Sequence, residues 1–166
     1  MGFRMNVTTN KFRKILFEWL HYDPDTGVFT WLKSRGSRAC AGTRAGRQRP
    51  DGYRTIKFAG KDYLEQRLAV LYMTGAWPTD LIDHKSRRPS DNRWENLRPA
   101  TYSQNHANRC VRVDSASGVK GVYRRKSGRW FAQVGWKRLG GFDSCELASA
   151  AVAAEALRVY GEFACP

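Results

Sequence analysis

The segment from residue 81 to residue 109 constrains this chain more than any other part of it. A short apolar run predicts a strand, and Asp83 and His84 stand at its end. The polar residues 85–93 predict a loop. Thr101, with a glutamine three residues later, has the spacing of a capping box, so a helix is predicted to begin there. A strand, a loop and a capped helix this close together restrict how their polar side chains can be arranged.

These polar side chains are the ones that hydrolysis of a phosphodiester with one hard metal ion requires. An imidazole, with an ordinary pKa of about 6.5, can take a proton from water near neutral pH, and His84 supplies one. Mg²⁺ prefers oxygen ligands, which Asp83 and the amide of Asn105 provide. Asn96 is the candidate for a side chain that reaches across the loop and holds the geometry. We therefore predict one divalent ion, Mg²⁺ ahead of Mn²⁺, and no zinc.

The charge of the chain indicates its partner. Its 166 residues carry a formal net charge of +14, which favours binding to a polyanion, above all nucleic acid. An acidic membrane surface is the competing interpretation. It is weaker because the basic residues alternate with Trp, Tyr and Gly and do not follow one amphipathic helix. We find no apolar run long enough for a bilayer and no secretion signal in residues 1–10, so a cytoplasmic location is expected.

The four cysteines are far apart and form no C-x-x-C pair. This spacing favours neither a zinc knuckle nor a disulfide framework. Free, buried thiols are the prediction.

The segments before residue 81 predict short alternating elements. An amphipathic helix is expected over residues 11–21, and a turn at 23–27 leads into a strand at 28–31. A hairpin is expected over residues 52–64, followed by a buried helix over 67–73 that ends near Gly75. The Arg- and Gly-rich residues 33–51 predict either a solvated loop or a loop lying against DNA phosphates.

The last part of the chain predicts a small separate unit. Three strands are expected at residues 121–125, 129–134 and 138–142, and Ser144 can cap a helix over 146–160. The fold class is therefore α+β. We predict an N-terminal hairpin region at 1–60 that belongs to the nuclease module, a nuclease core at 61–110, a linker at 111–117 and a DNA-binding domain at 118–166.

The central segment carries a family resemblance. Asp83-His84, then the run from Asp91 through Asn96 to Arg98, then residues 101–109, resemble the HNH motif of phage and intron-encoded homing endonucleases. This resemblance implies the ββα-metal fold, with two strands and a helix around one metal. It implies His84 as general base, Asp83 and Asn105 as metal ligands, and Asn96 as the middle Asn that orients the loop and the His. Family members usually have His where this chain has Gln66. Four neighbouring arginines are predicted DNA contacts: Arg87, Arg88, Arg93 and Arg109.

The C-terminal segment resembles the plant ethylene-response-factor (AP-two) DNA-binding domain, which also occurs fused to phage HNH enzymes. The likeness lies in residues 117–122, 130–134, 139–142 and 160–164. It implies a three-stranded sheet in the major groove with a helix packed behind it. Arg can bond guanine bidentately, Lys mostly contacts phosphate, and aromatic rings can press on sugar or base edges. The predicted contacts here are Lys120, Arg124, Arg125, Lys126, Arg129, Trp130, Trp136, Lys137 and Arg138.

Two classes of function follow from these patterns. The first is a metal-dependent homing-type endonuclease of a phage, a monomer or weak dimer that acts on double-stranded DNA, with its C-terminal sheet helping to choose the site. The alternative is a non-catalytic, sequence-specific DNA-binding regulator. A phage restriction or packaging nuclease would use the same chemistry as the first.

Overall fold

The computed structural model describes residues 7–165, which divide into two compact units between Pro99 and Ala100. The described residues contain four α-helices and several small antiparallel sheets, which confirms the α+β prediction. The domain bounds predicted from the sequence stay a prediction.

The first unit alternates short strands with two helices. Its elements are α1 (Val7–Trp19), β1 (Leu20–Asp23), β2 (Val28–Trp31), β3 (Arg47–Gln48), β4 (Arg54–Phe58), β5 (Lys61–Leu64), α2 (Glu65–Thr74), β6 (Leu81–His84), a 3₁₀ turn (Trp94–Asn96) and β7 (Leu97–Ala100), whose last residue already belongs to the second unit. Strand β1 pairs with β2, β4 lies between β3 and β5, and β6 pairs with β7.

Hairpins and turns in this unit agree closely with their sequence signals. The turn after Asp23 is closed by a 2.9 Å bond from the Gly27 N–H to the Asp23 carbonyl. Helix α2 ends at Gly75, whose φ of 79° is left-handed, as predicted. The prediction for α1 was wrong at its end, because Leu20 and His21 leave the helix and pair with β2. Between β2 and β4 the predicted loop also contains the short strand β3.

The core of the first unit lies between α1, α2 and the sheets. Leu16 of α1, Phe29 of β2, Ile56 of β4 and Leu68 of α2 are all fully buried. These positions fit the expected periods, about 3.6 residues for the helices and two for the strands.

The second unit is a three-stranded antiparallel sheet with helices. Its elements are α3 (Tyr102–Asn108), β8 (Val122–Arg124), β9 (Trp130–Val134), β10 (Lys137–Phe142), α4 (Cys145–Tyr160) and a 3₁₀ turn (Gly161–Phe163), with β9 in the middle of the sheet. Helix α4 packs on the sheet through Ala148 and Val152, and Ser144 caps it by accepting the Leu147 N–H at 3.2 Å. The predicted three strands and capped helix are therefore confirmed.

The cysteines depart in part from their prediction. None of the four forms a disulfide among residues 7–165, but Cys40 and Cys110 are exposed and Cys145 and Cys165 are half-buried, so the predicted burial was wrong. Across residues 7–165, every helix is too short or too polar to cross a membrane.

Candidate functional site

Asp83 and His84 end strand β6, and both side chains are buried. Asp83 is ion-paired: the Arg98 Nε donates to its Oδ2 at 2.9 Å, from the neighbouring strand β7. Both side chains of the pair are less than a tenth exposed. A carboxylate buried without such a partner would be costly. The Arg98 guanidinium therefore supplies the buried Asp83 carboxylate with a cationic partner next to His84.

His84 begins a chain of buried hydrogen bonds. Its Nε2 lies 3.1 Å from Asn92 Oδ1, and Asn92 Nδ2 donates to Glu65 Oε2 at 3.1 Å. Glu65 opens helix α2, is 0% exposed, and accepts the Arg54 Nε at 3.0 and 3.2 Å. Tyr53 packs its ring against the imidazole, with centroids 5.9 Å apart. The imidazole thus contacts Asn92, in the loop that follows it, and Tyr53, which precedes β4.

The buried setting changes the acid strength of these groups. Burial lowers the pKa of His84 below its ordinary 6.5, although the Asn92 bond and the charges of Asp83 and Asp91 oppose this. Burial raises the pKa of Glu65, and the Arg54 guanidinium is the main opposing influence. A lowered pKa keeps the His84 ring neutral near pH 7, which is the form that can accept a proton.

Asn96 closes the loop that follows His84. Its Oδ1 accepts the Ser86 N–H at 2.8 Å and its Nδ2 donates to the Asp91 carbonyl at 2.6 Å. Its own carbonyl accepts the Lys85 N–H at 2.9 Å. One buried side chain therefore ties the start of the loop to its end. The predicted role of Asn96 in orienting His84 stays a prediction.

The hairpin formed by β1 and β2, which we term the first hairpin, contacts this loop. The Tyr22 hydroxyl donates to the Asn92 carbonyl at 2.7 Å, and the Trp94 N–H donates to the Pro24 carbonyl at 2.9 Å. Gly27 lies so close that a Cβ there would be 2.3 Å from the backbone of Asn92 and Arg93. The hairpin therefore fixes the backbone of Asn92, whose side chain contacts His84.

Asn105 lies in the second unit, on α3. The helix has the predicted capping box: Thr101 accepts the Gln104 N–H at 3.2 Å, and Gln104 accepts the Thr101 N–H at 2.8 Å. Asn105 is half-buried in the first turns of this helix, as expected.

The donor groups on offer favour a hard cation. Within residues 7–165, three or more His, Cys, Asp or Glu side chains nowhere come together as metal ligands. The Asp83 carboxylate and the Asn105 amide, which lie in different units, each offer an oxygen donor of the kind that Mg²⁺ or Mn²⁺ takes.

The predicted DNA contacts near this site differ in their surroundings. Arg87 and Arg88 are exposed on the loop after His84, and Arg109 is exposed at the end of α3. Arg93 is also exposed, but it forms ion pairs with Asp91 and with the neighbouring Glu95 at 2.9 and 3.0 Å.

The three-stranded sheet of the second unit has one face turned away from α4, which we term the outer face: Tyr123, Arg125, Phe131, Gln133 and Arg138. Side chains alternate between faces along a strand, and Ala132 and Val134 point to the α4 side. The Arg125 guanidinium lies 4.2 Å from the Phe131 ring centre, and the Tyr123 ring stacks on Phe131 at 6.1 Å. Arg138 pairs with Gln133 across β9 and β10. The outer face thus combines cations with aromatic surface.

The aromatic and lysine candidates of this unit have different environments. Trp136 is fully exposed (103%) in the turn between β9 and β10, whereas Trp130 is half-buried against the core. Lys120 donates to the carbonyls of His106 and Ala107 at 3.1 and 2.7 Å, so its ammonium caps the end of α3.

The other basic candidates have local partners or lie in a turn. Lys137 pairs with Glu155 at 3.0 Å and Arg129 with Asp143 at 3.3 Å. Arg124 donates to the Gly128 carbonyl at 2.9 Å, and Lys126 is exposed in the turn after β8.

Three residues at the site escaped prediction from the sequence: Asn92, Glu65 and Arg98. Asn92 belongs to the motif but had no role assigned to it. Arg98 could have been found, since a basic residue on a strand beside an acidic strand end is a natural ion-pair partner. Glu65 gave no signal, because an acidic residue opening a helix is ordinarily exposed. The neighbouring Gln66 is buried, and its Oε1 has no hydrogen-bond partner among the described residues.

One segment of the chain, which includes Asp83 and His84, is similar to a known family. Residues 63–107 match the family model described as HNH endonuclease. The matched segment includes Asp83, His84, Asn96 and Asn105 and leaves the sheet of the second unit outside. Comparison with curated proteins and with solved structures found no match. HNH nucleases generally use a divalent metal and act on DNA. The matched segment therefore supports a nuclease of the HNH type with DNA as its substrate.

Proposed function

We propose that this chain is a metal-dependent, homing-type HNH endonuclease of a phage, which hydrolyses a phosphodiester of double-stranded DNA in the bacterial cytoplasm. The observation that carries the proposal is the buried end of β6, where Asp83 and His84 stand side by side under the loop that Asn96 closes. Such a cluster of buried polar groups at one strand end is costly to build without a function for it.

Each residue has a distinct part in the proposed reaction. His84, neutral at physiological pH, accepts the proton of the attacking water. Asn96 keeps the loop after His84 in place and so keeps the ring aimed. Asp83 and Asn105 would hold one divalent ion, Mg²⁺ ahead of Mn²⁺. A bound ion of this kind stabilises the charge that develops on the phosphate and on the leaving oxygen.

DNA binding is proposed for both parts of the chain. Arg87, Arg88, Arg93 and Arg109 would contact the phosphates near the cut. The domain at residues 118–166 would choose the site with the outer face of its sheet, where every charged side chain is basic, and with the exposed Trp136. With one active site in each chain, a monomer is expected to nick one strand.

A plasmid assay tests the proposal. Supercoiled DNA carrying the target site is incubated with the protein and Mg²⁺, with and without EDTA. We expect nicking that is lost in EDTA and falls by about 10²–10⁴-fold in His84→Ala, the usual contribution of a general base. His21→Ala is the matched control, because this exposed imidazole lies on β1 outside the site. Nicking that survives in His84→Ala would refute the assignment.

One observation favours the non-catalytic regulator as the second candidate. The Asp83 carboxylate is already neutralised by Arg98, and this competes with metal binding. Calorimetric titration with Mn²⁺ separates the two functions. Binding that is lost in Asp83→Ala supports the nuclease, whereas tight DNA binding with neither metal binding nor cleavage supports the regulator.

A further inference from the structure

We infer that Glu65, acting through Asn92, is a positioning residue that sets which nitrogen of His84 carries the proton. It keeps the hydrogen on Nε2 and leaves Nδ1 as the nitrogen that accepts a proton. The inference rests on the proposed function, in which His84 is the general base.

Glu65 lies at the far end of this chain of hydrogen bonds from His84. Glu65 is fully buried and is paired with the Arg54 guanidinium, whose Nε donates to both carboxylate oxygens. Arg54 also donates to the Ala45 carbonyl at 3.4 Å, which anchors the guanidinium. This pairing favours the ionised form of Glu65, and an ionised carboxylate can only accept hydrogen bonds.

An acceptor at this position decides how the Asn92 amide is oriented. The atom of Asn92 that faces Glu65 Oε2 at 3.1 Å must be the NH₂ group, because two oxygens would repel each other. The carbonyl oxygen of the same amide then faces the imidazole.

The oriented amide in turn decides the tautomer of His84. Asn92 Oδ1 has no hydrogen to donate, so the ring nitrogen 3.1 Å away, Nε2, must be the donor. In a neutral imidazole the other nitrogen, Nδ1, then carries the lone pair. Glu65 thus determines the tautomer across two hydrogen bonds without touching the ring.

The surrounding structure keeps Asn92 in position to bridge Glu65 and His84. The Tyr22 hydroxyl holds the Asn92 carbonyl at 2.7 Å, and Gly27 lies against the same backbone. With the backbone held, the side chain has to place its amide between Glu65 and His84. A leucine of similar size at residue 65 would fill the space, but it could not orient the amide.

Nuclear magnetic resonance of the imidazole nitrogens tests the inference without any need for activity. A ¹⁵N-labelled protein carrying His21→Gln and His106→Gln keeps a single imidazole, and the ring shifts are recorded at a pH where this ring is neutral. We expect the proton on Nε2. In Glu65→Gln we expect a mixture of both tautomers, because a carboxamide can turn either its oxygen or its NH₂ toward Asn92.

A second substitution supplies the rescue. In Glu65→Gln/Asn92→Asp the carboxylate at residue 92 only accepts, so the proton is expected to return to Nε2. Should Glu65→Gln fail to fold with Arg54 unpaired, Arg54→Met/Glu65→Gln removes both charges and is expected to show the same mixture. A proton on Nδ1 in the parent, or unchanged shifts in the folded Glu65 variants, would overturn the inference.

Activity distinguishes this inference from the function on which it rests. Nicking is expected to fall about tenfold in Glu65→Gln, a part of the full general-base contribution, and to recover in Glu65→Gln/Asn92→Asp. If the parent does not nick DNA but the tautomers respond as expected, the proposed function fails and the positioning of His84 stands. If nicking requires His84 but the His84 tautomer is unchanged in the Glu65 variants, only the positioning role of Glu65 fails.

Discussion

Gly27 is the position where one added methyl group should disturb the candidate site most cleanly. It has a φ of +70°, and a Cβ there would stand 2.3 Å from the Arg93 nitrogen and the Asn92 carbonyl carbon. Ordinary contact between such atoms is about 3.5 Å, so the hairpin tip and the loop must separate by roughly 1 Å in Gly27→Ala. That shift would stretch the bonds from Tyr22 to Asn92 and from Trp94 to Pro24.

The size of the effect follows from two contributions. Placing alanine at a left-handed φ costs about 1–2 kcal/mol. Each of the two stretched hydrogen bonds contributes about 0.5–1.5 kcal/mol. Gly27→Ala should therefore lower the free energy of unfolding by about 2–5 kcal/mol. Gly60→Ala provides the matched control, because Gly60 has a φ of +81° with nothing within 4 Å of its Cβ position. Only the cost of the backbone conformation, about 1–2 kcal/mol, is expected there.

Urea unfolding followed by tryptophan fluorescence measures both variants against the parent, with linear extrapolation to water. Nicking should also fall in Gly27→Ala and not in Gly60→Ala, because only the first shifts Asn92 and with it His84. Equal losses of stability in the two variants would refute the reasoning, since the close approach would then contribute nothing.

Three further predictions concern buried charge, pH and DNA. Arg98→Met should lower the free energy of unfolding by about 3–5 kcal/mol, because the buried Asp83 carboxylate loses the Arg98 guanidinium. In urea unfolding, Asp83→Leu/Arg98→Met should regain most of this loss. A loss below about 1 kcal/mol in Arg98→Met contradicts the prediction. Burial lowers the pKa of His84, so the unfolded chain takes up this proton first on acidification. The free energy of unfolding should therefore fall as the pH drops through about 6.5 toward the pKa of His84 in the folded protein. Measured in EDTA, this fall should be steeper in the parent than in His84→Gln. A shallower fall in the parent would mean that the His84 ring is charged in the folded protein. If the Arg138 side chain neutralises one phosphate, Arg138→Gln should reduce the slope of log affinity against log salt concentration by about 0.9. Fluorescence anisotropy with labelled DNA measures this slope. An unchanged slope would mean that Arg138 does not contact the DNA backbone.

Local chemistry was readable in advance because it depends on near neighbours along the chain. The turn at 23–27, the Gly75 helix end, the capping box at Thr101 and the Ser144 cap all involve groups within a few residues of each other. The sequence by itself therefore determined most elements and brought Asp83 and His84 to a strand end. The helical pattern of the sequence predicted the wrong last residue for α1, because Leu20 and His21 pair with β2 instead.

Tertiary structure alone decided what surrounds the histidine. Glu65 lies 27 residues from Asn92, and Arg98 lies 15 residues from Asp83, so no local period links them. A buried polar side chain must have a hydrogen-bond partner. Which polar side chains become buried here is decided only when α2, the first hairpin and the β6–β7 pair come together. The type of residue at a strand end could be predicted from the sequence, whereas the partner that orients it depends on contacts that only folding creates.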